Sequence, residues 1–370
     1  MNESQILKLF IVFFSLFVSA AYGQGFTMEE IEHNLIYNPP TLGNETLREQ
    51  TILDLDDILE VSGLGNMPPE IGQFYSNMIE KVKTELKQSI DGTSIWMMYN
   101  HGFIVKTEQN IFAIDLIRGY NGWFSYVLPR DIIDQIKVLM ITHSHGDHYD
   151  SEIKMAVLLN GGYVLEPGEN FAYPRNIGMM PGDSITIDGL KIKAHDGLHN
   201  VPLRIYEIVT PDSTKYMHTG DNQTSAALPQ VSSIDYLFLN CWVNESGSTS
   251  PVTGMRNCIN LLRPRYMIPG HMKELAHDPA RRIGSYRDAY RVDDISLPSK
   301  VQVMAWGERL ILNKGYKNFY VYKNSKDKTY LKPNQDSLLI KSEIYNPQNR
   351  NLYVTASITS FDSTTQDFIS

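Results

Sequence analysis

At 370 residues, with 42% apolar residues and a formal net charge of −9, the chain has room for one large α/β unit or two to three average domains, and it can bury a core without disulfide staples. The acidic balance, unrelieved by any lysine or arginine run, argues against an electrostatic nucleic-acid surface and disfavours a nuclease. Its only two cysteines, Cys241 and Cys258, read as small buried hydrophobes, with one bridge between them as the alternative, so the fold is not disulfide-built.

Residues 1–23 read as an export leader. A short polar segment, Met1 to Lys8, precedes Leu9 to Ala21, which is apolar or small throughout and at thirteen residues too short to span a bilayer comfortably. Val18-Ser-Ala20 and Ala21-Tyr-Gly23 are candidate cleavage sites; an uncleaved anchor is the alternative. The expected destination is secreted or periplasmic, with no lasting membrane association after cleavage. Residues 24–94 form a helical and irregular extension. Its first part, to about Ser62, is acidic, broken by Pro39-Pro40 and expected to wrap the surface. Pro68-Pro69 then opens an amphipathic helix whose Ile71, Phe74, Tyr75, Met78, Val82 and Leu86 share one face until Asp91-Gly92 stops it.

The main domain is expected over residues 95–315. Ile95–Tyr99, Phe103–Val105 and Asn110–Asp115 are short apolar runs split by tight turns, the pattern of antiparallel strands. Val138 to Ile141 reads as a buried strand, and it stops abruptly in His143-Ser-His-Gly-Asp-His148. Those polar side chains cannot continue a buried strand, so they sit on the loop at its end. His143 and His145 can converge on one cation, while the adjacent Asp147 and His148 point apart and suit a second. A helix follows from Asp150-Ser-Glu to Gly161-Gly162, then strand Tyr163–Leu165, a turn at Met180–Ser184, and strands carrying Ile185, Ile187, Leu190 and Ile192.

Three further polar sites end strands: His195-Asp-Gly-Leu-His199, His218-Thr-Gly-Asp221 and Pro269-Gly-His271. Asp235–Asn240 is a buried strand and Met255–Leu262 a short helix. Val301–Leu312 and Asn318–Tyr322 look like further β structure, and residues 316–370 form a C-terminal β extension with alternation at Tyr353–Ile358. In layered α/β folds the residues just past strand C-termini share one rim. His143, His145, Asp147, His148, His199, Asp221 and His271 can therefore meet there, and a metal site is the expectation.

In motif order and spacing, these residues resemble the metallo-β-lactamase superfamily of metallohydrolases over roughly residues 95 to 312. Ile141-Thr142, the Pro181-Gly-Asp183 turn and Asp235 add to the likeness, particularly to the branch with lactonases of the ascorbate-phosphate type. The resemblance implies an α/β, four-layer αββα sandwich with a dinuclear metal site on one edge. His143, His145 and His199 would hold one metal, Asp147, His148 and His271 the other, and Asp221 would bridge them. The implied cofactors are two divalent metal ions, zinc first, with iron or manganese as alternatives. The implied activity is hydrolysis of a small ester, lactone, amide or phosphodiester by a metal-bridging hydroxide, with Asp147 and Asp221 in catalytic roles. The partner is a small-molecule substrate, no nucleic acid is expected, and no oligomeric state can be read.

The third histidine is His199 or His195; the former is favoured because it lies beyond the strand, after the Asp196-Gly197 turn. His218 is expected to point inward or to orient a ligand. His101 could reach the site mouth, His277 with Glu274 could support the site, Arg281, Arg282 and Arg287 could clamp an anion, and Asn222, Trp242 and Tyr120 could line the pocket. The alternatives to a hydrolase are an iron-dependent oxidoreductase of the same fold and a metal-containing binding protein without turnover.

Overall fold

The computed structural model describes residues 25–312 apart from 41–45, 63–67, 120–127, 170, 172, 244–249, 274, 276–283 and 294–298, together with four short strands beyond residue 312. The leader over 1–23, Tyr120, Glu274, His277, Arg281, Arg282 and the alternation at Tyr353–Ile358 lie outside the described residues.

The segment expected to be irregular contains two helices, α1 (Met28–Tyr37) and α2 (Thr46–Glu60). The signals for them are local. Thr27 and Glu30 form a reciprocal capping box that satisfies helix-start N–H groups. Ile31 and Leu35, then Ile52, Leu55 and Leu59, recur at helical spacing and are buried. Pro39-Pro40 separates the two helices and does not mark an unstructured wrap. The third helix, α3 (Pro69–Leu86), starts with proline at its first turn and buries Ile71, Phe74, Tyr75, Met78, Val82 and Leu86, as the spacing predicts.

Two seven-stranded mixed sheets follow. The first runs in space β14-β1-β2-β3-β4-β5-β6, from β1 (Thr93–Met97), β2 (Phe103–Thr107), β3 (Ile111–Ile114), β4 (Val138–Met140), β5 (Tyr163–Pro167), β6 (Asn176–Met179) and β14 (Arg309–Leu312). The second runs β13-β12-β11-β10-β9-β8-β7, from β7 (Ser184–Ile187), β8 (Leu190–Asp196), β9 (Arg204–Val209), β10 (Lys215–His218), β11 (Tyr236–Asn240), β12 (Tyr266–Gly270) and β13 (Lys300–Val301). In each, an antiparallel part gives way to a parallel part: β3 to β6 in the first, β10 to β13 in the second. The sheets lie face to face, since Phe103 of β2 stacks on Phe238 of β11 with ring centres 4.2 Å apart and Phe112 of β3 meets Tyr216 of β10 edge-on at 5.7 Å. Helix α4 (Arg130–Ile133) is a single turn, α5 (Ser151–Leu159) packs on β4 and β5, and α6 (Pro251–Leu262) packs on α7 (Tyr286–Asp293), which in turn meets β13. Helices thus flank both sheets, a four-layer αββα sandwich.

The expected β structure over Val301–Leu312 is split. Lys300–Val301 belongs to one sheet and Arg309–Leu312 to the other, with a turn at Trp306-Gly307 carrying the chain across. Helix α6 starts at Pro251, four residues before the expected Met255, because proline is at home in a first helical turn. Cys241 and Cys258 are both buried. Among the described residues no helix is long and apolar enough to cross a membrane.

Residues up to Leu312 form one compact unit and those from Asn313 a second. In the second, β15 (Tyr320–Val321) pairs with β16 (Ile344–Tyr345), and β17 (Ser360–Asp362) with β18 (Asp367–Ile369), both antiparallel.

Within the first unit, a buried ion pair ties helix α2 to the segment before β14. The Arg48 guanidinium donates to both oxygens of Glu308 and to the Val303 carbonyl, and the Ala305 N–H completes the Glu308 carboxylate. Arg48→Ala strands that carboxylate in the core and is expected to cost about 3–5 kcal/mol in denaturant melts. A loss below about 1 kcal/mol would show that water reaches the pair and screens it.

Candidate metal centre

Four loops at strand ends carry the site. The first leaves β4, whose buried Val138, Leu139 and Met140 give way to Ile141-Thr142 and then to His143. A tight turn, in which His145 O accepts the His148 and Tyr149 N–H groups, folds the His143–His148 segment back on itself. Asp150 caps the following helix by accepting from the Glu152 and Ile153 N–H groups.

Asp115, just past β3 and fully buried, holds this loop from behind. One of its oxygens accepts the Thr142 N–H at 2.7 Å; the other accepts the Thr142 hydroxyl at 2.6 Å and stands 2.8 Å from His148 Nδ1. Burial works against its ionisation, but His148 beside it outweighs that and lowers its pKa. An ionised carboxylate only accepts, so His148 donates from Nδ1 and presents Nε2 to the site. The Thr142 hydroxyl, its proton committed to Asp115, accepts from His143 Nδ1 at 3.0 Å and turns Nε2 of that ring inward too. Sequence reading took Asp115 only as a strand end. A lone aspartate after an apolar run carries no mark of its partners 27 and 33 positions away.

The other three loops come from the second sheet. Beyond β8, His199 Nε2 lies 3.2 Å from His145 Nδ1, and its ring centre is 4.8 Å from that of His143. His195 is elsewhere: still within β8, it donates to Glu207 of β9 at 2.9 Å. After β10 the chain turns through Gly220 at φ 51°, where a Cβ would sit 2.8 Å from Thr142 Cβ, so glycine lets Asp221 approach the His143 loop. After β12, His271 adopts φ 61°, an uncommon backbone for a non-glycine residue, and its N–H is tied to Asn100 O at 3.1 Å.

All seven expected residues come together. His143, His145 and His199 form one group, and Asp147, His148, Asp221 and His271 another, the ligand atoms within each lying within 4.8 Å of one another. Asp221 reaches both: its Oδ2 is 3.2 Å from His148 Nε2, 3.2 Å from His271 Nε2 and 3.8 Å from His143 Nε2. Asp147 Oδ2 is 3.1 Å from His271 Nε2 and 3.4 Å from His148 Nε2. Imidazole nitrogens and carboxylate oxygens suit divalent metal ions. His143 Nε2 and Asp221 Oδ1, both buried and without a hydrogen bond, fit that use.

The residues around the groups meet some expectations and depart from others. His218 accepts the Gly220 N–H on Nδ1 and donates from Nε2 to His101 O, so both nitrogens are engaged away from the groups. His101 is fully buried behind Asp221, with Nδ1 4.0 Å from Asp221 Oδ1, and does not reach a mouth. Asn222 is buried too; it accepts the Leu198 N–H and donates to Thr224 O, bracing the His199 loop without facing a substrate. Arg287 pairs with Asp57 of α2 at 2.7 Å, as a surface helix residue does. Trp242 does border the site, its ring 4.6 Å from that of His271.

The buried carboxylates and imidazoles of the two groups shift one another's proton affinities. Burial opposes the charge on His271, yet Asp221 and Asp147 outweigh it and push its pKa up to about 10; His148 is raised in the same way by Asp221, Asp147 and Asp115. Burial, then His148, takes His143 down to about 3. Burial raises Asp147 and Asp221, but His148 and His271 hold both well below the usual carboxylate range. The raised His271 supports the metal-free fold fully below the unfolded histidine value of about 6.5 and loses that support as pH climbs to about 10. His143, which resists protonation, costs stability as pH falls from about 6.5 toward about 3. The raised His148 and His271 favour protonated rings that a metal ion would have to displace, so calorimetry in buffers of differing ionisation enthalpy is expected to show net proton release on loading at neutral pH. Proton-neutral binding at pH 7 would contradict this charge assignment.

The paired mixed sheets, flanking helices and strand-end loops that carry the site form the four-layer αββα sandwich that the resemblance implies. No family model matches the sequence. Among solved structures, the chain is similar to a metallo hydrolase from the hyperthermophilic archaeon Ignicoccus hospitalis, at 18% identity over 60% of this chain and 98% of that one, TM-score 0.45. It is similar to a metallo-β-lactamase fold protein from Bacillus subtilis, at 12% identity over 59% of this chain and 98% of that one, TM-score 0.45. It is also similar to a diiron β-hydroxylase from Streptomyces venezuelae, at 12% identity over 61% of this chain and 55% of that one, TM-score 0.46.

Proposed function

We propose that the chain is an exported metal-dependent hydrolase that uses two divalent cations, zinc first, to cleave a small ester, lactone, amide or phosphodiester. The observation that carries this reading is the position of Asp221, one oxygen of which lies within 3.2 to 3.8 Å of imidazole nitrogens from both groups. A carboxylate so placed suits a ligand shared by two cations, which supports the dinuclear reading. His143, His145 and His199 would hold one ion, Asp147, His148 and His271 the other, with Asp221 between them.

Bound there, divalent cations supply Lewis acidity, bringing the pKa of water toward about 7 and drawing charge from the carbonyl or phosphoryl oxygen under attack. Asp115 and Thr142 fix the ring orientations that this needs. Asp147, ionised at neutral pH, would accept a hydrogen bond from the attacking water and so steer it. Trp242 beside His271 and the exposed Leu198 beside His199 offer apolar walls, which suits an uncharged substituent next to the scissile bond. The leader supports export, and N-terminal sequencing of protein recovered outside the cytoplasm tests it; an intact Met1 would leave an anchor in place.

The deciding experiment is elemental analysis of protein purified without added metal, run beside a panel of esters, lactones, amides and phosphodiesters. Two zinc equivalents with chelator-sensitive hydrolysis support the proposal. Two iron equivalents without hydrolysis point to the oxidoreductase, and bound metal with no turnover on any panel member points to a binding protein.

A further inference from the structure

The turn joining β1 to β2 supplies none of the seven clustered side chains, yet both halves of one group hang on it. Asn100 is fully buried. Its Nδ2 donates to Asp147 Oδ2 at 3.1 Å and to the Asp147 carbonyl at 3.2 Å, while its own carbonyl accepts the His271 N–H at 3.1 Å. The next residue, His101, accepts from His218 through its carbonyl, and its ring lies against Gly270, where a Cβ would come within 2.1 Å of His101 Cδ2. Asp147 belongs to a loop of the first sheet and His271 to a loop of the second. Asn100 is hydrogen-bonded to both.

We infer that Asn100 is a positioning residue: through Nδ2 and its carbonyl it clamps the Asp147 carboxylate against His271 and so sets the affinity of the ion held by Asp147, His148 and His271, leaving the ion of His143, His145 and His199 untouched. This rests on the two-ion reading above. The residue type follows from two demands at one position. Asn100 has φ 58°, a left-handed backbone that asparagine tolerates better than most side chains. The side chain must also donate, because Asp147 Oδ2 is an acceptor already facing His271 and His148. Glycine meets the first demand only. Aspartate meets the first and reverses the second, placing one carboxylate against another.

Those two substitutions are therefore the test. Asn100→Gly keeps the turn and the backbone bond to His271 but lacks Nδ2, and Asn100→Asp keeps the shape and loses the donor. The full chain, stripped of metal, is titrated with zinc by calorimetry and melted without zinc. The wild type is expected to take up two equivalents. Each variant is expected to hold one at wild-type affinity and the other about 10- to 100-fold more weakly, the usual effect of removing a group that orients a ligand, and Asn100→Asp, which buries a second carboxylate beside Asp147, is also expected to melt below the wild type without zinc. A role in folding alone would weaken both equivalents together, and that result overturns the inference. So do two equivalents at wild-type affinity in both variants, an outcome that leaves the two-ion centre standing. If Asn100→Gly does not fold, Asn100→Asp decides. A wild type that binds no zinc overturns the two-ion reading and this inference with it.

Discussion

Asp221→Ala is expected to abolish turnover, lowering kcat by on the order of 10³-fold or more, because metal-assisted charge stabilisation is worth several kcal/mol and each 1.4 kcal/mol is about tenfold. Asp221 faces both groups: its Oδ2 is 3.2 Å from His148 and His271 Nε2 on one side and 3.8 Å from His143 Nε2 on the other. Alanine leaves those imidazoles without the carboxylate that raises His148 and His271. Asp221→Asn keeps the volume and one oxygen but removes the charge, so it is expected to recover little. Stability gives a second readout. Zinc that binds only the native chain raises the melting temperature by mass action, and this rise is expected to shrink in both variants at a fixed zinc concentration. An Asp221→Ala protein with wild-type turnover and the full zinc-induced rise would remove Asp221 from the centre.

Much of this site is legible in the chain because its chemistry is crowded. Four potential ligands between His143 and His148, directly after an apolar strand, admit few other uses, and His199, Asp221 and His271 stand at the ends of β8, β10 and β12, where loops of a layered fold gather. The supporting residues are not legible, for a physical reason. Asp115 and Asn100 act through hydrogen bonds to residues far along the chain, and neither sits in a periodic pattern that marks a partner. His101 misleads in the opposite direction: a turn histidine next to glycine suggests exposure, but the close approach of Gly270 buries it. Among the helices, α3 was readable from six apolar residues on one face, whereas α1 and α2 were hidden by acidic composition although Thr27 and Glu30 announce the start of the first. Composition averages over a segment; capping and spacing decide whether it folds.

His199→Ala and His195→Ala are expected to part by orders of magnitude although the two residues are four positions apart. The His199 ring stands with those of His143 and His145, at centre distances of 4.8 and 4.9 Å, so alanine there removes one of three imidazoles from a group. Loss of one metal equivalent and a fall in kcat on the order of 10³-fold are expected, the scale of losing one cation's charge stabilisation. His195 faces the other way, to Glu207, which also pairs with Lys215 at 3.2 Å. Its replacement removes one partly exposed hydrogen bond, worth about 1 kcal/mol, and leaves Glu207 still paired with Lys215. Full metal content and unchanged kcat are therefore expected for His195→Ala, measured beside His199→Ala in the same metal-replete buffer. The reverse pattern, with His195→Ala losing metal and His199→Ala keeping it, would require β8 to end before residue 195 and would refute the strand register that pairs His195 with Ile205.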